Sequence, residues 1–256
     1  MEEFYKKIIK HMIRSGKRIK KRAGRIEDIG VTKKFLTVED LKIERELKKI
    51  IKINNPKHEF YSEEENFNFV SAEDVWVGDP ISGTATFING LAHYGMAMAH
   101  VHKGKVVFAA IYDPTVDQMY TAYKGKGAFL NGQRLKISKN IPDKINVLFL
   151  LSRNWKDKRI SDAMLRELIK FNFYRTNNCE AISWCHLARG IYDGIVCFSK
   201  DSFPDFAGSL IIKEAGGQFF NIKGETEVAP EDRIFFGGNA EVVSKLKFIF
   251  KKITKQ

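Results

Sequence analysis

The apolar period of this chain changes near residue 142. Upstream, His58 to Tyr61, Val75 to Gly78, Met96 to His102, Lys105 to Tyr112 and Gln118 to Ala122 read as short strands bounded by turn residues. His102-Lys103-Gly104 reads as a hairpin, and Asn131-Gly132 is a type I′ turn signal. Downstream, the pattern alternates. Ile145 to Leu151, Phe171 to Tyr174, Gly194 to Phe198, Gln218 to Asn221 and Ile234 to Gly238 read as strands. Ser161 to Lys170, Ala181 to Gly190, Asp205 to Ala215 and Ala240 to Ile253 read as helices. Two helices come first. Phe4, Ile8, Ile9, Met12 and Ile13 recur at helical spacing over residues 2–21, and Thr37-Val38-Glu39-Asp40 opens a second helix that Asn54-Asn55-Pro56 ends. Residues 23–36 lose the period and predict an irregular or hairpin-like connection. The expected fold class is α+β / α/β. Residues 1–141 would form an α+β half with an antiparallel sheet, and residues 142–256 an α/β half with a mixed sheet. The break would fall at Asn140-Ile141-Pro142-Asp143.

Composition narrows the function classes. The chain has 256 residues, 44% of them apolar, which suits a globular core rather than a disordered chain. No stretch approaches the ~20 apolar residues of a membrane span, so no membrane association is expected. Glu2 and Glu3 open the chain, which is not a signal-peptide pattern. Cys179, Cys185 and Cys197 lack zinc-type spacing, and an odd, scattered set suits a reducing cytoplasm. The net charge of +12 favours anionic partners: phosphorylated small molecules, nucleic acid or acidic membranes. A Lys- and Ile-rich bias spread over a solvated surface is the more ordinary account. The densest basic run, Lys17-Arg18-Ile19-Lys20-Lys21-Arg22, ends a helix, where cations complement the dipole. No RNA-binding motif with interleaved aromatics supports a nucleic-acid partner.

The segment Trp76 to Thr84 carries the most chemistry. A strand-like run enters an Asp79-Pro80 turn, followed by Gly83-Thr84, whose backbone N–H groups at a helix start suit a phosphate. Asp40, Glu63 (in the run Glu63-Glu64-Glu65), Asp79 and Asp205 fall at strand ends or helix starts, where carboxylates can converge. Hard divalent cations want such oxygen ligands, and a pair of them can clamp a phosphoryl group and activate water. Each acid also has an ordinary reading. Asp79-Pro80 could start a turn, Asp40 could complete a capping box with Thr37, Glu63 could sit in a solvated charge run, and Asp205 could favour the helix dipole.

Read together, Asp79-Pro80-Ile81-Ser82-Gly83-Thr84, Ile111-Tyr112-Asp113-Pro114, Gly125 to Gly132 and Asp205 to Gly217 resemble the inositol monophosphatase family, in order and spacing. The resemblance covers about residues 4–250. It implies a layered α-β-α-β-α sandwich and a Mg²⁺-dependent phosphomonoesterase acting on a small phosphorylated polyol, sugar or nucleotide. It also implies a homodimer. Carried over residue by residue, Glu63 binds metal and helps hold the attacking water. Asp79 bridges metals, the carbonyl of Ile81 is a backbone ligand, and Asp205 binds the second metal. Asp40 orients the Thr84 hydroxyl that activates water. Ser82, Gly83, Thr84, Cys179 and Glu180 fall where substrate binds.

The departures are as informative. Ser82 stands where the family has a metal-binding aspartate, implying one firm Mg²⁺ site and a weakened second. Pro204 stands where the family has tryptophan. Asn178-Cys179-Glu180-Ala181 replaces a "GTAA"-like segment. The glutamate that holds the sugar hydroxyls falls near Cys197 or Phe198, leaving Asp201 or Glu180 to substitute. These departures motivate an alternative: a catalytically weakened homologue acting as an RNA- or protein-binding regulatory factor.

Overall fold

Amphipathic helices at the N-terminus cover the first sheet. Helix α1 (Glu2–Lys20) buries Phe4, Ile8, Met12 and Ile19 on one stripe, and α2 (Val38–Asn54) buries Ile43, Leu47 and Ile51. The structure, a computed structural model, describes residues 1–31, 35–64, 72–152, 155–176 and 179–254; Glu65 and Asn178 lie outside them. The connection over residues 23–36 is irregular where described. One carboxylate, Asp28, accepts the N–H groups of Gly30, Phe35 and Leu36.

The first sheet orders its strands as β1 (Glu59–Ser62), β2 (Asp74–Ser82), β3 (Gly95–His102), β4 (Lys105–Asp113), β5 (Gln118–Tyr123), β6 (Gly127–Leu130) and β7 (Gln133–Arg134). Asn131 and Gly132 join the last two with φ of 48° and 83°, as a type I′ turn requires. Two expectations need correction. The sheet is not wholly antiparallel, because β1 pairs parallel to β2, Ser62 lying opposite Gly78. Parallel pairing brings both strand ends, and with them Glu63 and Asp79, to one edge of the sheet. Nor does Asp79-Pro80 make a turn. Strand β2 runs through it to Ser82, with a register shift against β3 between Asp79 and Ser82. A bulge accommodates Pro80, which has no N–H to give the ladder. A five-residue helix, α3 (Thr84–Ile88), follows.

The second sheet is mixed, in the order β11 (Gln218–Asn221), β12 (Ile234–Gly238), β10 (Gly194–Phe198), β8 (Asn146–Leu151), β9 (Asn172–Thr176). Strands β8, β9 and β10 are mutually parallel, and β12 runs antiparallel to its neighbours. Helices α5 (Glu180–Ala188) and α6 (Phe203–Glu214) pack against both sheets. Helices α4 (Lys158–Leu168) and α7 (Ala240–Thr254) cover the outer face of the second. The result is the expected α-β-α-β-α layering. Three apolar clusters fill the four interlayer spaces: one around Trp76 and Phe108, one around Trp184 and Leu210 that reaches both sheets from the middle helices, and one around Phe149 and Phe236. Gly208 lets α5 and α6 approach closely; a Cβ there would meet Trp184 at 2.4 Å.

His11 on α1 makes folding sensitive to acid. It is 3% exposed, Arg14 donates to its Nδ1 at 3.2 Å, and Nε2 faces Ser15 and Glu46. Burial pushes its pKa down to about 4. The unfolded chain therefore takes up this proton first as pH falls. The contribution of neutral His11 is whole above the unfolded value near 6.5 and is lost between about 6.5 and 4, on the order of 3 kcal/mol. Urea titrations across that window should show the loss, and His11→Gln should flatten it.

Candidate active site

The bulged end of β2 starts the site. Asp79 and Ser82 are buried there, and the chain then reverses through Gly83 at φ +80°. A Cβ at Gly83 would lie 2.9 Å from Thr86 Oγ1 and 3.0 Å from both Cys179 Cβ and the His93 carbonyl, so no other residue fits without displacement. Thr84 follows. Its hydroxyl donates to the Ile81 carbonyl at 2.7 Å and lies 3.5 Å from Asp40 Oδ1.

Asp40 belongs to both of its readings. Its Oδ2 accepts the Thr37 N–H at 2.9 Å and the Thr37 hydroxyl at 2.5 Å, completing the capping box of α2. Its Oδ1 faces Thr84. Burial, seconded by the charges of Glu64 and Glu63, raises its pKa to about 7. Those neighbours place the end of β1 beside the start of α2.

The other side comes from the second sheet and the middle helices. Asp205, in the first turn of α6, is fully buried. Trp184 Nε1 donates to its Oδ1 at 2.9 Å, and the Ser199 hydroxyl lies 3.2 Å from its Oδ2. Glu180, at the start of α5, accepts from the Cys197 thiol at 2.7 Å and from the Ser199 hydroxyl. Burial raises the pKa of both Glu180 and Asp205, seconded at Asp205 by the charge of Glu180 and at Glu180 by that of Glu63. Asp201 is raised to about 7 by burial and by Glu63. A cation stands among these acids: Lys200 Nζ lies 2.8 Å from Glu63 Oε1 and 3.9 Å from Asp201 Oδ2.

The structure thus gathers Asp40, Glu63, Asp79, Ser82, Thr84, Glu180 and Asp205 where β1, β2 and β10 end and α2, α3, α5 and α6 begin. Cys179 is gathered too, but as framework. It is 1% exposed, its Sγ caps α5 through the Ile182 N–H, and burial pushes the thiol up to about 12. The Ile81 carbonyl is held by Thr84. Ser82 Oγ accepts the Ala181 N–H at 3.5 Å, tying β2 to α5. Sequence reasoning missed Ser199, Lys200 and Trp184. No local pattern marks them, since each meets its partner only through tertiary packing: Ser199 and Lys200 across layers, Trp184 between α5 and α6.

The donor set suits a hard divalent cation. Excess carboxylate charge in a buried site calls for counter-charge, and the oxygens of Glu180 and Asp205 come within 4.8 Å of one another. Cys197 falls in the same group, but burial and the neighbouring acids hold its thiol well above its usual range, so it serves as a donor to Glu180.

The profile of the inositol monophosphatase family matches residues 1–250. The chain belongs to the inositol monophosphatase family. It is 30% identical over 227 residues to inositol monophosphatase 1 of Bos taurus, covering 83% of this chain and 80% of the bovine one. It is 28% identical over 223 residues to the Nus factor SuhB of Vibrio cholerae, covering 84% and 83%. Thermotoga maritima IMPase shares the fold with a TM-score of 0.85 at 21% identity, covering 100% of this chain and 99% of that one. The resemblance and the layered sandwich inferred from sequence are both borne out. Among the described residues, no helix is long and apolar enough to cross a membrane.

Proposed function

We propose that this family member is a Mg²⁺-dependent phosphomonoesterase that hydrolyses a small phosphorylated polyol, sugar or nucleotide. The observation that carries the reading is the Asp40–Thr84 pair beside carboxylates borne by the first sheet and by the middle helices. Glu63, Asp79, the Ile81 carbonyl and Asp205 would hold the metal. When bound, Mg²⁺ supplies Lewis acidity to the phosphoryl oxygens and acidifies its water. Asp40, once ionised, would draw the Thr84 hydroxyl proton away from the Ile81 carbonyl, leaving the Thr84 oxygen to accept a proton from water. Gly83 and Thr84 present backbone to the phosphate. Glu180 reaches the level of Cys197 on β10 and can accept a substrate hydroxyl there. Trp184 and Ser199 fix the orientation of Asp205.

Ser82 and Lys200 both reduce the negative charge of the pocket, one by removing a carboxylate and one by adding an ammonium. This favours one tightly held Mg²⁺. Ser82→Asp should add a second Mg²⁺ equivalent by calorimetry and raise phosphate release at limiting Mg²⁺. The wild-type protein, with millimolar Mg²⁺, should release phosphate from at least one member of a broad phosphoester panel. If only Ser82→Asp does so, the wild-type chain is not the enzyme proposed.

The second reading, an RNA- or protein-binding regulatory factor, draws support from the SuhB relatives and from the use of Ser82 as a framework contact. It predicts RNA affinity that falls steeply with salt and survives loss of Asp79. The homodimer that the resemblance implies and the cytoplasmic location expected from the cysteines belong to this proposal; light scattering tests the first.

A further inference from the structure

The opposite end of β2 carries a second group of metal-ligand side chains. Asp74 lies directly across from His102 on β3, with His100 one row further along, opposite Trp76. Asp74 Oδ1 meets His100 Nε2 at 2.9 Å and His102 Nδ1 at 2.8 Å. Asp74 Oδ2 faces His58 Nε2 at 3.7 Å. Asp74 and Asp79 are five residues apart on one strand, about 17 Å at roughly 3.3 Å per residue, so this group is separate from the acidic pocket.

We propose that Asp74, His100 and His102 form a binding site for a divalent transition-metal ion of the zinc type. Two imidazole nitrogens converging on one carboxylate oxygen supply the borderline donors such ions prefer over Mg²⁺. The hydrogen bonds around the rings decide which of them can ligate. The Trp76 indole N–H, a donor only, gives to His58 Nδ1 at 3.1 Å. The proton of neutral His58 is therefore on Nε2, and His58 can only donate to Asp74 from outside the metal shell. His100 is different. Its Nδ1 meets the Tyr5 hydroxyl at 2.9 Å, and a phenol can accept as well as donate. The His100 proton can move to Nδ1 and bare Nε2 for the ion. His102 is 42% exposed at its side chain, so its proton can move to the water-facing Nε2 and bare Nδ1. Neither ring loses a proton outright. Water can complete the shell through the exposed side of His102. Tyr5 then orients His100 and His58 orients Asp74, the outer partners that such sites require.

The test uses the full chain stripped with chelator and held in excess Mg²⁺, which occupies hard oxygen sites but competes poorly for imidazole. Zn²⁺ should bind with a stoichiometry of one and raise Tm, and Co²⁺ should give visible absorption of nitrogen-ligated metal. His102→Ala, at an exposed position that folding tolerates, should abolish all three. Tyr5→Phe should weaken Zn²⁺ binding roughly 10- to 100-fold. Zn²⁺ binding and Tm gain unchanged in His102→Ala, or no binding by the wild-type chain, would overturn the proposal. Either result leaves the Mg²⁺ phosphatase reading untouched, because phosphate release is not measured.

Discussion

Asp40→Asn should lower kcat by about 10²- to 10⁴-fold, the range over which a positioned base acts. The amide keeps the size of the carboxyl but cannot draw the Thr84 proton towards it. The same substitution should leave folding intact or strengthen it. The Asp40 carboxyl has a pKa near 7 in the folded chain against an ordinary value of 3.8, so folding favours its protonated form. Its contribution to stability is present below the unfolded value and is lost as pH rises from about 4 through 7. Wild-type Tm, followed without Mg²⁺, should therefore fall relative to the Asn variant across that window. Thr37→Ala separates the two roles of the residue. It removes the cap partner and costs about 1 kcal/mol, while Asp40 still faces Thr84. If Thr37→Ala and Asp40→Asn reduce kcat equally, the carboxyl is a helix cap and nothing more.

The second large effect is expected at Trp184, which is wholly buried in the middle layer. It packs on Gly208 and Gly237 and meets the Phe219 ring at 5.1 Å. Trp184→Ala should cost about 3–5 kcal/mol, a large part of the ~5–15 kcal/mol that holds a typical domain together. Urea midpoints measure it. Trp184→Phe isolates the polar contribution. The ring still fills much of the space, but Asp205 Oδ1 loses its donor inside a buried site, costing about 1–3 kcal/mol. The Mg²⁺ activation curve should shift by roughly 10- to 100-fold in the Phe variant, because Asp205 is no longer held in place. An unshifted curve would reduce Trp184 to packing alone.

What the sequence disclosed follows from which forces act locally. The 3.6 period set α1 and α2, and Asn131-Gly132 set the β6–β7 turn, because backbone sterics at adjacent residues suffice for both. The direction of β1 did not show. Four residues alternating buried and half-buried say which face is inward but nothing of polarity. The strand-like end of β2 was hidden by Asp-Pro, a pair that ordinarily turns the chain and here occupies a bulge. In the candidate site, Asp40, Glu63, Asp79, Thr84 and Asp205 were singled out through their motifs. Ser199, Lys200 and Trp184 were not. Ser199 meets Glu180 across 19 positions, and Lys200 meets Glu63 across 137. Such contacts exist only after the layers have docked.

That docking has a consequence for how the protein would fail. Neither sheet owns the pocket: Asp40 and Asp79 come with the first, Cys197 and Ser199 with the second, and Glu180 and Asp205 with the helices wedged between them. A slight loosening of that wedge scatters the reacting groups while every strand ladder stays intact. Heat or urea should therefore silence the pocket before circular dichroism registers any loss of secondary structure, making turnover the most sensitive gauge of whether the two sheets are still pressed together.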